Sequence, residues 1–240
     1  MTSTQSNSPL QETMLELVFM PQSTYDITFP GEFFNAVKEE FPEKVERSIG
    51  SISVPPLENG NISIDGNLTV FKSTKSKKQI QLGRDILIIN MVDYHSWEDW
   101  KRQVREIIEL YRSSKKTELQ LRHVNLGFMN KFEVPSSQIY DVISFKLPNP
   151  EGENYSSVLA LRTQVDFPRG EDNVLTKGFR LLPSSEEQEM QFLLELSYAN
   201  NKPLSLEFGE SLDIWLEEAH TEIISLFGNS VKQEYLATLV

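Results

Sequence analysis

Residues 96–116, SWEDWKRQVREIIELYRSSKK, carry the clearest helix signal in the sequence. Ser96 is a good N-cap, and Asp99 three residues later resembles a capping box. Lys115 and Lys116 lie at the C-terminal end, where the helix dipole favours cations. Apolar residues recur at helical spacing: Trp97, Trp100, Val104, Ile107, Ile108 and Tyr111. A helix with one apolar stripe needs another layer to cover it, so this segment predicts a layered fold.

Two further main helices are predicted, one on each side of this segment. The first follows Pro30 and Gly31, and its apolar stripe consists of Phe33, Phe34, Val37 and Phe41. The third starts near Ser211, and Gly228 is expected to end it before a short terminal helix.

Strands account for most of the remaining apolar segments. Residues 14–20, 118–134 and 190–198 read as strands, with Gly127 as a possible bulge position. Asn59-Gly60 and Asp65-Gly66 suit tight hairpins. Because hairpin-type turns join most strands, we predict an α+β fold with a largely antiparallel sheet and three main helices packed on it. Recurring strand–helix–strand–strand units indicate an internal duplication.

The domain organisation is predicted to be simple. Residues 1–11 are polar and uncharged, which is typical of a disordered tail, and residues 12–240 are expected to form one domain. The start of the chain lacks the features of a signal peptide, and no apolar run approaches the ~18 residues of a membrane span. We therefore expect a cytoplasmic protein with no membrane association.

Composition excludes several classes of function. The chain has no cysteine, which excludes disulfides, zinc ribbons and thiol catalysis. Its formal net charge of −12 repels nucleic acids and anionic membranes on average. The motifs of α/β-hydrolases, phosphate loops, dinucleotide-binding folds and helical zinc proteases are all missing. No cofactor or metal is predicted, and an enzyme is less expected than a binding protein.

The candidate acid–base residues are His123, His220 and Glu217. Glu217 precedes His220 by one helical turn, and a Glu-x-x-His pair is half of a di-iron carboxylate site. The sequence contains no second pair to complete such a site. His220 could equally border the apolar stripe of its helix.

Arg122 and Asn125 flank His123 on a strand that we expect to be central. Polar groups in so apolar a context need hydrogen-bond partners if they are buried. They form either a structural network or the wall of a ligand pocket.

Charge is segregated along the chain. Residues 72–132 carry a net charge of +6, and Lys72, Lys75, Lys77 and Lys78 form a basic run that could bind nucleic acid. Residues 183–240 contain 11 acids and 2 bases. Within them, Glu217, Glu218 and Glu222 are either a solvated helix face or a docking surface for a basic partner.

Several short patterns together resemble a sporadically distributed family of bacterial proteins of similar length and unknown function. The matching residues are Leu15–Phe19, Phe41, Pro42, Leu82, Gly83, Tyr94, Ser96, Trp97, Glu98, Arg122, Asn125, Trp215, Leu216, His220 and Phe227. His123 stands where the family pattern has tyrosine. The resemblance implies one domain in an intracellular bacterial setting. Families with such a distribution often include toxin–antitoxin and phage-defence components.

Three functions are open at this point. The first is a non-enzymatic module that binds another protein, or a second copy of this chain as a homo-oligomer. The second is a hydrolase or nuclease with a scattered histidine and carboxylate site. The third is a nucleic-acid or nucleotide binder, which requires residues 72–78 to converge with Arg102, Arg105 and Lys116 on one face.

The helix at 96–116 gives a first testable prediction. Replacing Ile107 by Ala should lower the free energy of unfolding by about 2–5 kcal/mol, because the truncation leaves a cavity in the core. Urea melts of the two proteins measure the difference. A loss below about 0.5 kcal/mol would place Ile107 on a solvent-facing surface.

Overall fold

A computed structural model of the chain describes residues 8–21, 26–57, 60–115, 119–135, 138–147, 161–183, 189–200, 202 and 209–238. Side chains are described in these ranges except at 49–57, 60–66, 183, 189 and 190. In chain order the elements are β1 (Leu10–Phe19), α1 (Phe29–Val37), β2 (Glu43–Leu57), β3 (Gly60–Lys72), β4 (Lys78–Leu82), β5 (Ile86–Met91), α2 (Trp97–Ser114), β6 (Leu121–Pro135), α3 (Ile139–Val142), β7 (Leu161–Arg169), β8 (Asn173–Pro183), β9 (Glu189–Asn200), α4 (Glu210–Ser230) and α5 (Gln233–Leu236).

The nine strands of the described residues belong to one antiparallel sheet, in the order β2-β3-β4-β5-β1-β6-β9-β8-β7. This confirms the predicted α+β class and the antiparallel sheet. The sequence analysis counted three main helices; the structure has five in its described residues, of which α3 and α5 are single turns of 4 residues.

β1 and β6 lie together near the middle of the sheet. Outward from β1 the order is β5, β4, β3 and β2, and outward from β6 it is β9, β8 and β7. Each half of the chain therefore begins with its central strand and continues through a helix and the outer strands to a long helix, which in the second half is followed by the single-turn α5.

One row of directly opposed side chains crosses the sheet and marks the face that the helices cover. Its members are Phe71, Ile80, Ile89, Leu15, Leu126, Tyr198, Leu175 and Phe167. The first seven are buried. Because side chains alternate along a strand, this row fixes which residues of every strand face the helices.

The described helices all pack on that face. The Phe33 ring of α1 lies 5.6 Å from that of Phe71, and Tyr111 of α2 stacks on Phe19 at 5.2 Å. Trp215 of α4 packs against Tyr198 at 5.4 Å. Tyr235 of α5 and Phe145, which follows α3, contact Phe132 and Phe179. None of the described helices is long and apolar enough to cross a membrane.

The α2 prediction is confirmed in detail. The helix begins at Trp97, and the Ser96 side chain accepts a hydrogen bond from the Asp99 amide at 3.2 Å. Ile107 is buried, as the proposed substitution requires.

Several local predictions were wrong because long-range pairing decides them. Gly127 is in register opposite Met14, and the β1–β6 pairing is irregular instead at two other places, between Leu10 and Glu12 and between Val18 and Phe19, opposite Arg122. Asp65-Gly66 lies inside β3 rather than at a turn. Gly228 lies within α4. The helix ends at Ser230, and the next residue, Val231, forms an isolated β-bridge with Ile143.

The tail boundary also differs from the predicted one. β1 begins at Leu10, so Leu10 and Gln11 belong to the sheet rather than to the tail. Residues 1–7 lie outside the described ranges.

Two glycines predict opposite effects of the same substitution. A Cβ at Gly83 would lie 2.6 Å from the Ile86 side chain and 3.0 Å from that of Leu68, so Gly83→Ala should cost about 1–3 kcal/mol by overpacking. A Cβ at Gly31 in α1 meets nothing within 4 Å, so Gly31→Ala should stabilise by about 0.4–1 kcal/mol. Thermal melts of both variants measure the shifts, and equal signs would contradict the packing at Gly83.

Candidate functional site

The predicted Glu217 and His220 lie at the contact between α4 and α2. The Glu217 carboxylate accepts hydrogen bonds from Trp97 Nε1 at 2.9 Å and from Lys101 Nζ. Lys101 is buried and also pairs with Glu98 at 2.9 Å. The His220 ring stacks on Trp97, with centroids 4.1 Å apart and planes 4° apart. Two patterns far apart in sequence thus meet in the structure.

The contacts of this cluster hold α2 and α4 together. The hydrogen bond from Lys101 lowers the pKa of Glu217, and burial lowers the pKa of His220. The carboxylate is bonded to Trp97 and Lys101 rather than to the imidazole. The Glu217 carboxylate and the His220 ring thus both contact α2 and join α4 to it.

The other two predicted docking acids also have partners within the chain. Tyr198 donates its hydroxyl to Glu218, and Arg169 Nε donates to Glu222 at 2.7 Å. The helix α4 therefore presents Glu217, Glu218 and Glu222 as members of internal pairs rather than as a free acidic surface.

The predicted basic surface is likewise interrupted by acids. Lys78 pairs with Glu40 at 2.8 Å, and Arg105 pairs with Asp213 at 2.9 Å. Arg102 bonds to Asp99 and Glu106 at 2.6 and 2.8 Å. Lys78 and Arg102 do share a depression of about 450 Å³, but it is also lined by Glu39, Glu40 and Glu106. Lys116 lies outside the described residues.

His95 lies apart from these groups. It lines a depression of about 630 Å³ together with Lys77, Tyr94 and Lys131. Lys131 is held by Glu133 at 2.7 Å. Within the described ranges, no three histidine or carboxylate side chains converge closely enough to hold a metal ion.

His123 lies on the opposite face of the sheet from the helices, and it is fully buried. Its Nδ1 is 3.2 Å from the Asn200 carbonyl oxygen, which only accepts, so Nδ1 carries the proton. Its Nε2 has no hydrogen-bond partner among the described residues, and it lies 4.0 Å from Glu16 Oε1.

Burial shifts both members of this pair. Desolvation raises the pKa of Glu16 to about 7 and lowers the pKa of His123 to about 4, to which the nearby Arg122 charge also contributes. At neutral pH, His123 is therefore neutral and Glu16 is near its midpoint of titration.

The Asn200 side chain forms hydrogen bonds to the backbone on both sides of His123. Its Oδ1 accepts from the Val124 amide at 2.7 Å, and its Nδ2 donates to the Arg122 carbonyl oxygen at 3.1 Å. These bonds compensate the backbone groups at the strand irregularity. Arg122 contributes its carbonyl group to this network.

Asn125 lies two residues along the same face and borders a cavity. Its Oδ1 is buried and has no partner in the part of the chain that the structure describes. The cavity measures about 320 Å³ and lies over the junction of β1, β6 and β9. Its lining consists of Glu12, Met14, Asn125, Gly127, Phe128, Met129, Glu195, Leu196 and Ser197.

The cavity exists because Gly127 occupies the centre of a three-by-three grid of residues. Strand register places three residues of β1 beside three of β6 and three of β9 on the face away from the helices. By strand they are Glu12, Met14 and Glu16; Met129, Gly127 and Asn125; and Glu195, Ser197 and Ala199. The missing side chain at the centre leaves the opening.

The rim of the cavity is polar and held in place. Glu12 accepts from Asn90 Nδ2 at 2.6 Å, and Asn90 in turn accepts from Gln81 at 3.0 Å. Glu195 is paired with Arg180. The sequence analysis found Asn125 but missed Glu12, Glu16, Glu195 and Asn200. A carboxylate inside the apolar run MLELVFM was the available signal for Glu16.

Comparison with known proteins does not assign this chain to a family. No family model matches the sequence, and no curated protein matches it either. Among solved structures, "Methanococcus jannaschii TBP" is similar at a TM-score of 0.28 and 8% identity, over 90% of this chain and 97% of that one. Similarity at this level does not establish a shared fold. The resemblance to a bacterial family therefore stays a prediction.

The Glu16–His123 pair predicts opposing effects of pH on stability. Glu16 favours the folded state when protonated, so its contribution is full below about pH 4.5 and is lost as pH rises through about 7. His123 favours the folded state when neutral, so its contribution is full above about pH 6.5 and is lost as pH falls through about 4. In the natural chain these two slopes oppose each other.

Single substitutions should expose each slope. In Glu16→Gln, the free energy of unfolding should rise between pH 4 and 6.5 by on the order of 3 kcal/mol, because His123 is then the one member of the pair that titrates. In His123→Gln, it should fall by a similar amount between pH 4.5 and 7. Urea melts across this range measure both variants, and slopes of the same sign would refute the assignment.

Proposed function

We propose that this protein is a non-enzymatic protein-binding module and that its binding surface is the sheet face opposite the helices. The observation that supports this is the difference in burial between the two faces of β6. Between Asn125 and Lys131, residues that face the helices are buried, whereas those that face away are partly exposed. β5, by contrast, is buried on both faces. We call the partly exposed surface of β6, β9 and β8 the open face.

The composition of the open face suits a protein partner. Met129, Leu193 and Val174 give it partly exposed apolar area. The ion pairs Lys131–Glu133 and Arg180–Glu195 lie among them. Apolar groups interspersed with paired charges are typical of protein–protein interfaces and not of nucleic-acid surfaces, where cations dominate.

The net charge favours a particular kind of partner. A chain with a formal charge of −12 repels a second copy of itself and attracts a basic protein. We therefore propose a basic protein rather than a homo-oligomer. A cytoplasmic toxin–antitoxin or phage-defence system is the setting that the sequence resemblance implies.

We further propose that the two halves of the chain are copies of one unit, as the repeated strand and helix pattern in the sequence indicates. The matching order of strands outward from β1 and from β6 supports this. The cavity over Gly127 would then lie where the two copies join. Such junctions are common positions for binding sites.

The buried Glu16–His123 pair favours a second candidate, an enzyme that uses His123 Nε2 as a base. A general base must reach the proton that it abstracts, and His123 is fully buried. The binding module therefore accounts better for the structure.

Two matched substitutions test the proposed surface. Leu193→Glu places a charge on the open face, between Lys131 and Arg180 on the neighbouring strands, so the fold should tolerate it. Ile214→Glu makes the same kind of change on the exposed side of α4. A tagged chain purified from its host should retain a stoichiometric basic protein.

The expected result separates the two faces of the molecule. Leu193→Glu should weaken binding of that protein at least tenfold in surface-plasmon measurements, and Ile214→Glu should change it less than twofold. Retention by Leu193→Glu with loss by Ile214→Glu would place the interface on the helices. Either that result or the absence of a stoichiometric partner would overturn the proposal.

A further inference from the structure

The cavity over Gly127 is bounded mainly by carbon atoms. A Cβ placed on Gly127 would have Met14 Cε at 3.6 Å, Ser197 Cβ at 3.9 Å and Met14 Cβ at 4.0 Å as its nearest neighbours. Met129, which faces the same way in the next row of the sheet, also lines the cavity. An apolar group that displaces water from such a surface gains free energy.

The two carboxylates of the lining are turned towards the outer strands. Glu12 accepts its hydrogen bond from Asn90 of β5 at 2.6 Å, and Glu195 is paired with Arg180 of β8. A Cβ placed on Gly178, also in β8, would lie 3.3 Å from Glu195 Oε2, so this carboxylate lies over β8. The carboxylates therefore flank the centre of the three-by-three grid and leave the centre to apolar atoms.

The grid has no aromatic residue to cover its central glycine. Its nine positions, all within the described residues, hold methionine, glutamate, asparagine, serine, alanine and glycine. An aromatic ring packed over a glycine stabilises an antiparallel sheet. The grid does not supply such a ring, so the position over Gly127 is open to one from a partner.

Met14 and Met129 make the cavity adaptable. Both residues are partly exposed, and methionine is unbranched with three rotatable bonds. The Met14 methyl group, which lies nearest to the Cβ position of Gly127, can therefore swing aside without a change in the backbone. Methionine sulfur also makes favourable contacts with aromatic rings. A flat ring can thus lie on the Gly127 backbone in contact with methionine side chains.

Charge indicates the kind of segment that carries this ring. The formal net charge of −12 attracts a basic partner. Glu12 takes its hydrogen bond from a neutral amide, so its charge is not compensated by that bond. Because this carboxylate is turned away from Gly127, it would meet a group that lies beside the ring rather than the ring itself. A basic residue next to the aromatic one suits that position.

We propose that the cavity over Gly127 receives an aromatic side chain of the basic partner and that a basic residue beside it pairs with Glu12. This inference rests on the proposed function. Aromatic side chains that fill a central pocket typically dominate the binding energy of a protein interface. The cavity is then the anchor point of the open face.

Methyl NMR of the full chain with ¹³C-labelled methionine tests this directly. The probe is the capped peptide acetyl-Gly-Phe-Lys-Gly-amide, and its control carries cyclohexylalanine, which is apolar and of similar size but not aromatic. The ring current of the phenylalanine peptide should shift the Met14 and Met129 methyl protons upfield. Met20, which is 41% exposed and follows β1, should shift less than a fifth as much and controls for unspecific contact. The cyclohexylalanine peptide should bind at least threefold more weakly.

Three variants localise the binding. Gly127→Val should fill the cavity and weaken binding of the phenylalanine peptide at least fivefold. Ala199→Val adds bulk to the neighbouring row of the same face, outside the lining, and should alter binding less than twofold. Glu12→Gln should weaken binding at least twofold and keep the upfield shifts. Thermal melts establish that each variant is folded. If Gly127→Val is not, Gly127→Ala replaces it, because its Cβ makes ordinary contacts, and should weaken binding at least twofold.

The outcomes separate this inference from the proposed function. Equal binding of the two peptides, or shifts of Met14 and Met129 no larger than that of Met20, overturns the aromatic anchor. Unchanged binding by Glu12→Gln overturns the pairing with a basic residue. If the captured partner still depends on Leu193 in either case, the proposed function stands without the inference. Aromatic-selective binding together with loss of the captured partner from Gly127→Val supports both.

Discussion

The antiparallel pairing of β1 with β6 is the interaction on which the rest of the structure depends. It joins the first half of the chain to the second through a register that sets Leu15 opposite Leu126. The same register places Gly127 beside Met14 and Asn125 beside Glu16. If β6 slipped by one residue, each of its side chains would turn to the other face of the sheet. Leu126 would then leave the core, and Gly127 and its neighbours would no longer lie on the face away from the helices.

Because the described helices pack on only one face of the sheet, the two faces of the central strands differ in composition. One face is filled by aromatic and aliphatic side chains, which need no further partners once packed. The other carries Glu12, Glu16, His123 and Asn125, and these polar groups need hydrogen bonds wherever water is excluded. Asn200 supplies hydrogen bonds to the backbone where the pairing is irregular, between Val18 and Phe19. Among the described residues of β1 and β6, the buried side-chain atoms without a hydrogen-bond partner are His123 Nε2 and Asn125 Oδ1.

Local signals in the sequence predicted much of this fold, and long-range register decided the remainder. The α2 cap and the alternation of residues 190–198 depend on neighbouring residues, so both could be read from the chain. Gly127 reads as a bulge because glycine weakens strands, yet its partner strands hold it in register. The contact of Trp97 with Glu217 could not be predicted either, since 120 positions of sequence, including all of β6 to β9, separate these two residues.

Long-range contacts also decide which carboxylates remain available to bind a partner. The sequence contains its densest acids in the C-terminal region, but folding gives Glu217, Glu218 and Glu222 donors from within the chain. A carboxylate that already holds a lysine, a tyrosine or an arginine has little left to offer a partner, and its pair contributes little as a surface ion pair. Glu12 accepts its hydrogen bond from the neutral side-chain amide of Asn90 and borders the cavity over Gly127. Pairing within the chain therefore decides which carboxylates remain available to a basic partner, and this is why we propose the open face rather than α4 as the binding surface.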